Sequence, residues 1–349
     1  MPRLRVELWI GTNFLAHSHG EESRPRRDYA RSVESGQAHA TTRPVFVIVN
    51  PLCVRERGVA ALARALESAG FAPELALTSG RGDATRRAAD PRRPSTTPVV
   101  VVGGDGTLHE VVAGLAAVTG DGSVLAPLLV IPRGTGNDLA HNAGAPRSMH
   151  AAVAALQRGR TRRLDLGRVR MQTSSGTREQ RFHNVFGLGF EAMVNRIAGA
   201  RRRRLPGALH YLPAVVRALP ALDPRQLVVR WTQPDGSERR LEGAFPVVTV
   251  GNGARCGGSF HLTPEARLDD GQLDLLVVDP LSAWKLLWLL PRAIMGSHRH
   301  HPSVHLARCR SLRIEAAAAV AVHCDGEVVE QPVHALEIEI EPRRLQLLV

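Results

Sequence analysis

The segment Val99–Leu115 constrains the fold of this chain more than any other stretch. It begins with four consecutive valines, which predict a strand that is buried on both faces. After a glycine-rich turn, apolar residues return at helical spacing, at Leu108, Val111, Val112 and Leu115. Glycines let a backbone approach an anion closely, and the first N–H groups of a helix point at that anion. The segment therefore predicts a strand, a turn and a helix that together bind phosphate.

Asp105 within the turn indicates which kind of phosphate compound binds. The turn reads Gly103-Gly104-Asp105-Gly106-Thr107. A carboxylate beside a bound phosphate is repulsive unless a cation lies between them, so Asp105 predicts a Mg²⁺–nucleotide rather than a bare phosphate. The alternative is an ordinary tight turn in which the aspartate caps the helix.

A second glycine turn follows the next predicted strand. The apolar run Leu128–Ile131 leads into Pro132-Arg133-Gly134-Thr135-Gly136-Asn137-Asp138. Earlier in the chain, Val45–Val49 and Glu74–Leu77 predict two further strands. Two glycine turns at the carboxyl ends of parallel strands, each followed by a helix, build a crevice in a doubly wound sheet.

These turns resemble the diacylglycerol kinase catalytic family, which includes bacterial lipid kinases and the sphingosine and ceramide kinases. The first turn alone is also similar to that of the more distant NAD kinases and 6-phosphofructokinases. The resemblance implies ATP and Mg²⁺ as cofactors and a catalytic role for Asp105. It also implies a set of nucleotide-binding residues: Asn50, Thr78, Gly103, Gly104, Asp105, Gly106, Thr107, Gly134, Thr135 and Asn137.

The turn after Asn50-Pro51 departs from the family pattern. The family continues there with serines and glycines, whereas this chain continues with Leu52-Cys53-Val54-Arg55-Glu56-Arg57-Gly58. Phosphate contacts from this turn are therefore left open. Arg55 or Arg57 could replace them, and plain surface arginines are the alternative.

The pattern changes at Leu164, where short alternating segments predict a β-rich region. These segments lie at residues 164–170, 181–186, 227–231, 245–250, 273–278, 312–315 and 318–323, followed by 333–340 and 344–349. The predicted fold class is α/β, with a doubly wound three-layer nucleotide-binding domain and a β-rich, sandwich-like second domain. We expect a disordered extension at 1–43, the nucleotide-binding domain at 44–163 and the lipid or substrate domain at 164–349. The last strands complete the second domain or return to the first.

The segment Leu262–Asp274 resembles a further motif of the same family and contains Asp269-Asp270-Gly271. Two carboxylates before a glycine present the oxygen ligands that a hard cation prefers. By resemblance, a structural Mg²⁺ is held by Asp270 and by the main-chain oxygens of Arg267 and Gln272. An Asp-Gly turn between strands needs no metal, so a plain turn is the alternative.

The last family motif is His323-Cys324-Asp325-Gly326-Glu327, at the end of a predicted strand. Two carboxylates flank a glycine there, and a carboxylate at this position can accept a proton from a substrate hydroxyl. By resemblance, the catalytic base is Asp325 or Glu327. The sequence leaves both open.

Arginine dominates the charge of the chain, which has a formal net charge of +12, and Lys285 is its only lysine. An arginine-rich surface suits nucleic acid, anionic lipid headgroups or nucleotide phosphates. RNP-like aromatic motifs, zinc-finger spacing and a basic-region zipper are absent from the sequence, so we expect no nucleic-acid partner.

The cysteines are widely spaced without a CxxC pair, which favours free thiols. No apolar run approaches the roughly 20 residues of a membrane span, and no signal peptide is apparent, so we expect a cytoplasmic protein.

Two segments suit peripheral contact with a membrane. Arg201–Arg204 either contacts lipid headgroups or is simply solvated. Leu281–Leu290 predicts an amphipathic helix that carries Trp284 and Trp288 and ends at Pro291. This helix either enters a bilayer interface or covers the core of the second domain.

The motifs in this order predict an ATP-dependent lipid kinase that acts at a membrane surface. It transfers the γ-phosphate to a lipid hydroxyl of a diacylglycerol-like or sphingosine-like acceptor. Two alternatives stay open: a NAD kinase-like phosphotransferase with a soluble acceptor, and a non-catalytic module that binds nucleotide or lipid. The sequence predicts neither the acceptor lipid nor the oligomeric state.

Overall fold

The first half of the chain alternates parallel strands with helices in the computed structural model, which describes residues 42–199 and 207–349. Its elements are β1 (Arg43–Val49), α1 (Glu56–Ser68), β2 (Phe71–Leu77), α2 (Asp83–Ala88), β3 (Val99–Gly103), α3 (Asp105–Val118), β4 (Leu128–Pro132), α4 (Asp138–Asn142) and α5 (Met149–Arg158). The parallel strands lie in the order β2-β1-β3-β4. Residues 1–41 of the predicted disordered extension and the Arg201–Arg204 run lie outside the described residues.

Side chains alternate along these strands, so each face of the sheet buries its own apolar set. Val47 and Val100 pack with α1 and α5 on one face. Ile48 and Val101 pack with α2, α3 and α4 on the other face. Because helices cover both faces, the valine strand β3 is buried along its whole length. The predicted three-layer, doubly wound fold of this half is confirmed.

The second half is β-rich, as predicted. Its elements are β5 (Thr161–Thr173), β6 (Gly176–Phe182), β7 (Val185–Gly189), α6 (Phe190–Gly199), α7 (Leu212–Ala218), β8 (Arg225–Thr232), β9 (Glu238–Phe245), β10 (Val247–Gly251), β11 (Leu273–Val278), α8 (Ala283–Met295), β12 (Val304–Cys309), β13 (Ser311–Val320), β14 (Val322–Cys324), β15 (Glu327–Val328) and β16 (Val333–Leu348). Short 3₁₀ turns lie at Gly207–His210, Leu219–Ala221 and Ser297–His300.

Two sheets pack face to face in this half. One is a six-stranded sheet with the order β12-β11-β10-β7-β14-β15. The other contains β5, β8, β13 and β16 and is continuous with the parallel sheet of the first half. Phe186 and Leu275 of the six-stranded sheet meet Val169 and Ile338 of the larger sheet in one apolar core. The predicted sandwich-like architecture is confirmed.

Two long strands run from one half of the chain into the other. β5 and β16 pair antiparallel along nearly their whole length. The end of β16 also pairs in parallel with β4, with Leu347 opposite Leu128. Leu164 and Leu345, on these two strands, belong to the apolar core of the first half. The last strand of the chain therefore belongs to both halves.

The later strands differ in detail from the predicted segments. Residues 333–340 and 344–349 lie in or beside the single strand β16, which bulges between Glu341 and Leu345. Arg343 in this bulge has a φ of +57°. A bulge shifts the alternation of side chains without ending the strand, so the sequence pattern resembled two strands. The sequence pattern also missed the edge strands β6, β9, β12 and β15. Strands β6 and β9 are mostly polar, β12 breaks the alternation at Leu306-Ala307, and β15 has only two residues.

The helices α6, α7 and α8 cover the outer face of the six-stranded sheet. Leu276 and Val278 of β11 point to this side and pack there with Val194, Val215 and Leu289. The six-stranded sheet is therefore apolar on both faces, with the sandwich core on one side and these helices on the other. This layer of helices borders the cavity described below.

Helix α8 continues through Pro291, where the sequence predicted that it would end. Proline removes one backbone hydrogen bond from a helix and usually bends or breaks it. Leu286, Leu289 and Ala293 lie on both sides of the proline and are all buried, so packing on the sheet holds the helix together. Within residues 42–199 and 207–349, no helix is long and apolar enough to cross a bilayer.

Candidate active site

The two glycine turns of the first half touch each other. Strands β3 and β4 pair in parallel with Gly103 opposite Pro132, so the turns that follow them are neighbours. A Cβ atom on Gly134 would lie 2.5 Å from the Cα of Gly104, and a Cβ on Gly104 would lie 2.9 Å from the Cα of Gly134. A side chain at either position would collide with backbone, which explains the two glycines. The contact brings both turns to one edge of the sheet.

Hydrogen bonds fix the shape of these turns. Asp105 Oδ1 accepts the backbone N–H of Asp138 at 2.7 Å, which joins the two turns. Asn50 Nδ2 donates to Thr107 Oγ1 at 3.1 Å, which joins the end of β1 to the start of α3. Asn137, with a φ of +51°, bonds through its carboxamide to the N–H and the C=O of Gly134. The ends of three neighbouring strands are thereby held in one arrangement.

The turns border a large cavity with a volume of about 990 Å³. The predicted nucleotide-binding residues that line it are Asn50, Thr78, Gly104, Asp105, Gly106, Thr107, Gly134 and Thr135. The lining formed by the described residues does not include Gly103, whose carbonyl accepts the N–H of Arg133, or Asn137. Asp325 and Glu327 line the same cavity. The structure therefore places the two predicted bases in one cavity with the predicted phosphate turn.

Another part of the cavity lining is apolar. It consists of side chains from α6, α7, α8 and the outer face of the six-stranded sheet, namely Phe190, Val194, Val215, Val247, Leu276, Val278, Leu286, Leu289 and Val304. One cavity thus joins glycine turns and carboxylates to a hydrocarbon surface. A ligand that suits the whole cavity has both a polar and an apolar part.

Asp325 is surrounded by hydrogen-bond donors. Its carboxylate accepts the backbone N–H groups of His183, Asn184 and Val185 at 2.9–3.1 Å and lies 2.9 Å from Nδ1 of His109. Burial alone would raise the pKa of Asp325, but the imidazoles of His183 and His109 and the backbone donors hold it well below its usual range. A buried carboxylate held in its ionised form in this way is a weak proton acceptor.

Glu327 is the more accessible of the two predicted bases. Its side chain is 39% exposed, and its Oε2 pairs with Arg81 at 3.0 Å. It lies against the phosphate turn, because a Cβ atom on Gly106 would be 2.9 Å from Glu327 Oε1. The Glu327 carboxylate therefore borders both the turn and the cavity.

Two buried histidines accompany Asp325. Burial lowers the pKa of His109, but the hydrogen bond to Asp325 and the negative charges of Asp325, Glu327 and Glu110 together outweigh burial, so the pKa of His109 is raised. His183 is completely buried, and burial lowers its pKa. The raised pKa of His109 favours the protonated form beside Asp325, and the contact between the two residues links α3 of the first half to the end of β14 in the second.

Asp138 is a second carboxylate beside Asp105. It accepts the backbone N–H of Gly258 at 3.0 Å and lies 3.4 Å from Nε of Arg255. Burial and the negative charge of Asp105 raise the pKa of Asp138 to about 7. A divalent cation beside the two carboxylates would relieve their repulsion. The donor set at this turn therefore fits a Mg²⁺–nucleotide, with Asp105 and Asp138 as the oxygen donors.

The predicted structural magnesium site is built on a different turn. Arg267, Asp270 and Gln272 precede β11, and the lining that the described residues give the cavity includes none of them. In this turn Asp270 Oδ1 accepts the N–H of Gln272 at 3.1 Å, and Asp165 Oδ2 accepts the N–H of Gly271 at 2.7 Å. Across residues 42–199 and 207–349, no group of three or more His, Cys, Asp or Glu side chains is arranged to hold a metal ion. The predicted magnesium site would use only one carboxylate together with two main-chain oxygens. The absence of a three-residue cluster therefore does not test this site, which stays a prediction.

Sequence reasoning missed several groups of this site. Arg81 pairs with Glu327, His109 pairs with Asp325, and Asn184 Oδ1 accepts a hydrogen bond from Asn142 at 2.7 Å. His109 had a local signal, because it lies four residues after Asp105 and so on the same face of α3. Arg81 and Asn184 had no local signal in the sequence, because their partners are distant along the chain.

The α/β half, the β-sandwich half and the glycine turns beside the cavity fit the class of nucleotide-dependent kinases. Comparisons with known proteins agree with this class. The family model of the diacylglycerol kinase catalytic domain matches residues 44–169, and that of the YegS C-terminal NAD kinase beta sandwich-like domain matches residues 184–349.

Individual relatives cover most of the chain. A protein of Xanthomonas euvesicatoria named "Probable lipid kinase YegS-like" is 31% identical over 81% of this chain and 88% of its own length. A protein of Bacillus subtilis named "Diacylglycerol kinase" is 27% identical over 80% of this chain and 88% of its own. A crystal structure of a diacylglycerol kinase from Bacillus anthracis has the same fold, with a TM-score of 0.62 at 20% identity over 88% of this chain and 96% of that one. The chain therefore belongs to the family of diacylglycerol kinases and YegS-like lipid kinases.

Proposed function

We propose that the protein transfers the γ-phosphate of ATP to a hydroxyl group of a diacylglycerol-like or sphingosine-like lipid. The observation that carries this proposal is the two-part lining of the cavity, with the phosphate turn in one part and hydrocarbon side chains in the other. A lipid kinase needs both parts, because it must bring a hydroxyl to the phosphate while it shelters the adjoining hydrocarbon from water.

The phosphates of ATP bind at the turn Gly103–Thr107 and at the amino end of α3. This end supplies free N–H groups and the positive end of the helix dipole. The bond from Asn50 to Thr107 and the bond from the N–H of Asp138 to Asp105 hold the turn in place before the nucleotide arrives. Mg²⁺ bound with the nucleotide would neutralise charge on the phosphates. Phosphoryl transfer then depends chiefly on positioning and on charge stabilisation.

Glu327 is the proposed general base. Its carboxylate is half-exposed, lies against Gly106 and faces the cavity, so it can reach a hydroxyl near the turn. Asp325 is the proposed positioning residue, because it organises the main chain of residues 183–185 and holds His109. Both carboxylates were open candidates from the sequence, and their different surroundings support this division of roles.

The apolar lining favours a lipid over a soluble acceptor such as NAD⁺. A dinucleotide carries charges and hydroxyls along its whole length and would leave the hydrocarbon side chains of α6, α7 and α8 without an apolar partner. The unusual turn after Asn50-Pro51 is the feature of the sequence that favours a non-catalytic module. Asn50 nevertheless bonds to Thr107 of the phosphate turn, so the altered residues after Pro51 leave that link in place.

The test is a transfer assay with purified protein, labelled ATP and Mg²⁺. The acceptors are mixed micelles that contain diacylglycerol or sphingosine, and NAD⁺ in solution. We expect label in the lipid fraction and none in NADP⁺. Label in NADP⁺ without lipid product would assign the soluble-acceptor activity, and nucleotide binding without any transfer would assign a binding module.

A variant pair links this activity to the site. Asp105→Asn should reduce turnover by about 10²-fold or more, because it removes a carboxylate that would hold Mg²⁺ beside the phosphates. Asp223→Asn changes an exposed aspartate of the second half and should leave turnover unchanged. Equal activity of both variants would contradict the placement of phosphate at the turn.

A further inference from the structure

We propose that the outer face of α7 and α8 docks on an anionic lipid bilayer. The proposal rests on the proposed function, because a lipid kinase must meet its acceptor at a membrane surface. We define the docking face by its exposed apolar residues, which are Leu212, Val216, Trp284, Trp288, Ile294 and Met295. Through this docking face the kinase reaches the membrane that contains its lipid substrate.

Exposure of these side chains is the first observation. Trp284 is 67% exposed, Trp288 is 60% exposed and Met295 is 71% exposed. Their spacing of four and seven residues places them on one stripe of α8. Leu212 and Val216 are likewise four residues apart on α7, where they are exposed. Exposed apolar side chains of this size that repeat along one side of each helix mark an interaction surface.

The opposite sides of the same helices line the cavity. Leu286 and Leu289 of α8 and Val215 of α7 are buried against the six-stranded sheet and belong to the cavity lining. Both helices cover the same face of that sheet, so their outer faces point away from it on the same side. The two helices therefore separate the apolar part of the cavity from the docking face by the thickness of one helix. A bilayer seated there would lie next to the part of the cavity that suits hydrocarbon.

Charge identifies the partner as an anionic membrane. The helices α7 and α8 are both described in full, and their charged residues are all basic. These residues are Arg217, Lys285 and Arg292. Basic side chains near apolar ones extend their charge towards the headgroups while their stems cover apolar surface. Tryptophan suits the same depth, because its ring is apolar and its N–H is polar. A second copy of this chain would bring like charges together, which disfavours a homodimer through this face.

The first test measures binding to phosphatidylcholine vesicles with and without phosphatidylglycerol, in the absence of ATP and acceptor. The double variant Trp284→Ser/Trp288→Ser should bind anionic vesicles at least about tenfold more weakly than the wild type. Val118→Ser is the matched control, because Val118 is an exposed apolar residue at the end of α3, in the other half of the chain. It should bind as the wild type does.

Lys285 provides an independent readout. It is the only lysine of the chain, so an amine-reactive label followed by peptide mass spectrometry reports on α8 at a single side chain. Anionic vesicles should protect Lys285 from labelling, and high salt should remove the protection by screening the charges. Labelling that vesicles leave unchanged would overturn the proposal.

Transfer assays separate this proposal from the proposed function. The double tryptophan variant should lose activity on acceptor in vesicles but keep activity on a short-chain acceptor dissolved in water, because the described lining of the cavity includes neither tryptophan. If the wild type phosphorylates no lipid at all, the proposed function fails, and vesicle binding still decides the docking face. Unchanged vesicle binding by the double tryptophan variant would contradict docking on a bilayer. The same holds if size-exclusion chromatography shows that the variant has lost self-association while its vesicle binding is unchanged.

Discussion

Neighbouring carboxylates in this site have different surroundings and therefore different chemistry. Asp325 and Glu327 are separated by one glycine, yet Asp325 is buried among backbone donors and Glu327 is half-exposed beside Arg81. A proton acceptor needs room to approach the substrate and a spare lone pair. At the scale of single residues, burial and hydrogen bonding decide which carboxylate reacts and which one holds the structure.

Glu327→Gln should lower kcat by about 10²- to 10⁴-fold, because glutamine keeps the shape of the side chain but cannot accept the proton. The dissociation constant for nucleotide should stay unchanged, since the phosphate turn is intact. Steady-state kinetics and a nucleotide titration measure the two quantities.

Asp325→Asn is the matched variant and should mainly reduce stability. It removes the charge that pairs with His109 in a buried position, which costs about 3 kcal/mol in the free energy of unfolding. Urea denaturation measures this change. If Asp325→Asn lowered kcat far more than Glu327→Gln at full folding, the proposed roles of the two residues would be reversed.

Asp138 predicts a dependence of stability on pH. Its pKa is raised to about 7 in the folded protein from 3.8, so the folded state binds more protons than the unfolded state between these values. Its contribution to stability is therefore complete below about pH 4 and is lost as pH rises through about 7. The total loss is of the order of 4 kcal/mol.

Asp138→Asn should flatten this part of the stability profile. Asparagine can still accept the N–H of Gly258 but cannot ionise. The free energy of unfolding of the variant should therefore increase relative to that of the wild type as the pH rises from 5 to about 8. Urea denaturation at a series of pH values is the measurement, with the exposed Asp223→Asn as the control. Parallel profiles for wild type and Asp138→Asn would show that Asp138 does not titrate in this range.

At the scale of elements, the site depends on two turns that touch through their backbones. Gly104 and Gly134 leave no space for a Cβ atom on either side. Because the obstructing atoms belong to the main chain, no side-chain rotation can make room. The strands β3 and β4 set the distance between the turns, and the glycines allow that distance.

Gly104→Ala should weaken nucleotide binding at least about tenfold, because the new methyl group pushes the two turns apart. Isothermal titration with a non-hydrolysable ATP analogue is the measurement. Gly120→Ala is the control, since the nearest atom to its Cβ would be 3.9 Å away, on Ser123. A Gly104→Ala protein with wild-type affinity would show that the turns need not touch for nucleotide to bind.

At the scale of the whole molecule, β5 and β16 join the two halves into one structure. They pair with each other over both halves, and β16 also pairs with β4. His109 and Asp325 add a buried ion pair between α3 and the end of β14. We therefore expect the halves to unfold together in a single transition.

Leu115→Ala tests this expectation from the core of the first half. Leu115 is buried on α3, so its truncation should lower the free energy of unfolding by about 2–5 kcal/mol. Three of the four tryptophans, Trp231, Trp284 and Trp288, lie in the second half. With Trp9 replaced by Phe in both proteins, their fluorescence should report the same shift in the urea midpoint. Val118→Ala on the exposed side of the same helix is the control. An unchanged fluorescence midpoint would mean that the halves unfold independently.

The sequence predicted the local features of the fold and of the site. The valine strand, the glycine turns and the helix after Asp105 follow from neighbouring residues, because burial on both faces and close backbone approach leave a direct pattern in the chain. The β-rich second half was predicted from alternation, because a strand with one buried face alternates apolar and polar residues. Where a bulge or a polar edge disturbed the alternation, as in β16 and β6, the predicted strands were divided or missed.

Only the tertiary structure decided which of these features meet. The pairs His109–Asp325 and Arg81–Glu327 join residues that are far apart in sequence, so no local pattern contains them. The same is true of the route of β16 into the first sheet, and of α8, which continues through Pro291 because the sheet beneath it holds both of its ends. A turn is set by neighbours in the chain. The surroundings of a carboxylate, which set its pKa and its role, are set by neighbours in space.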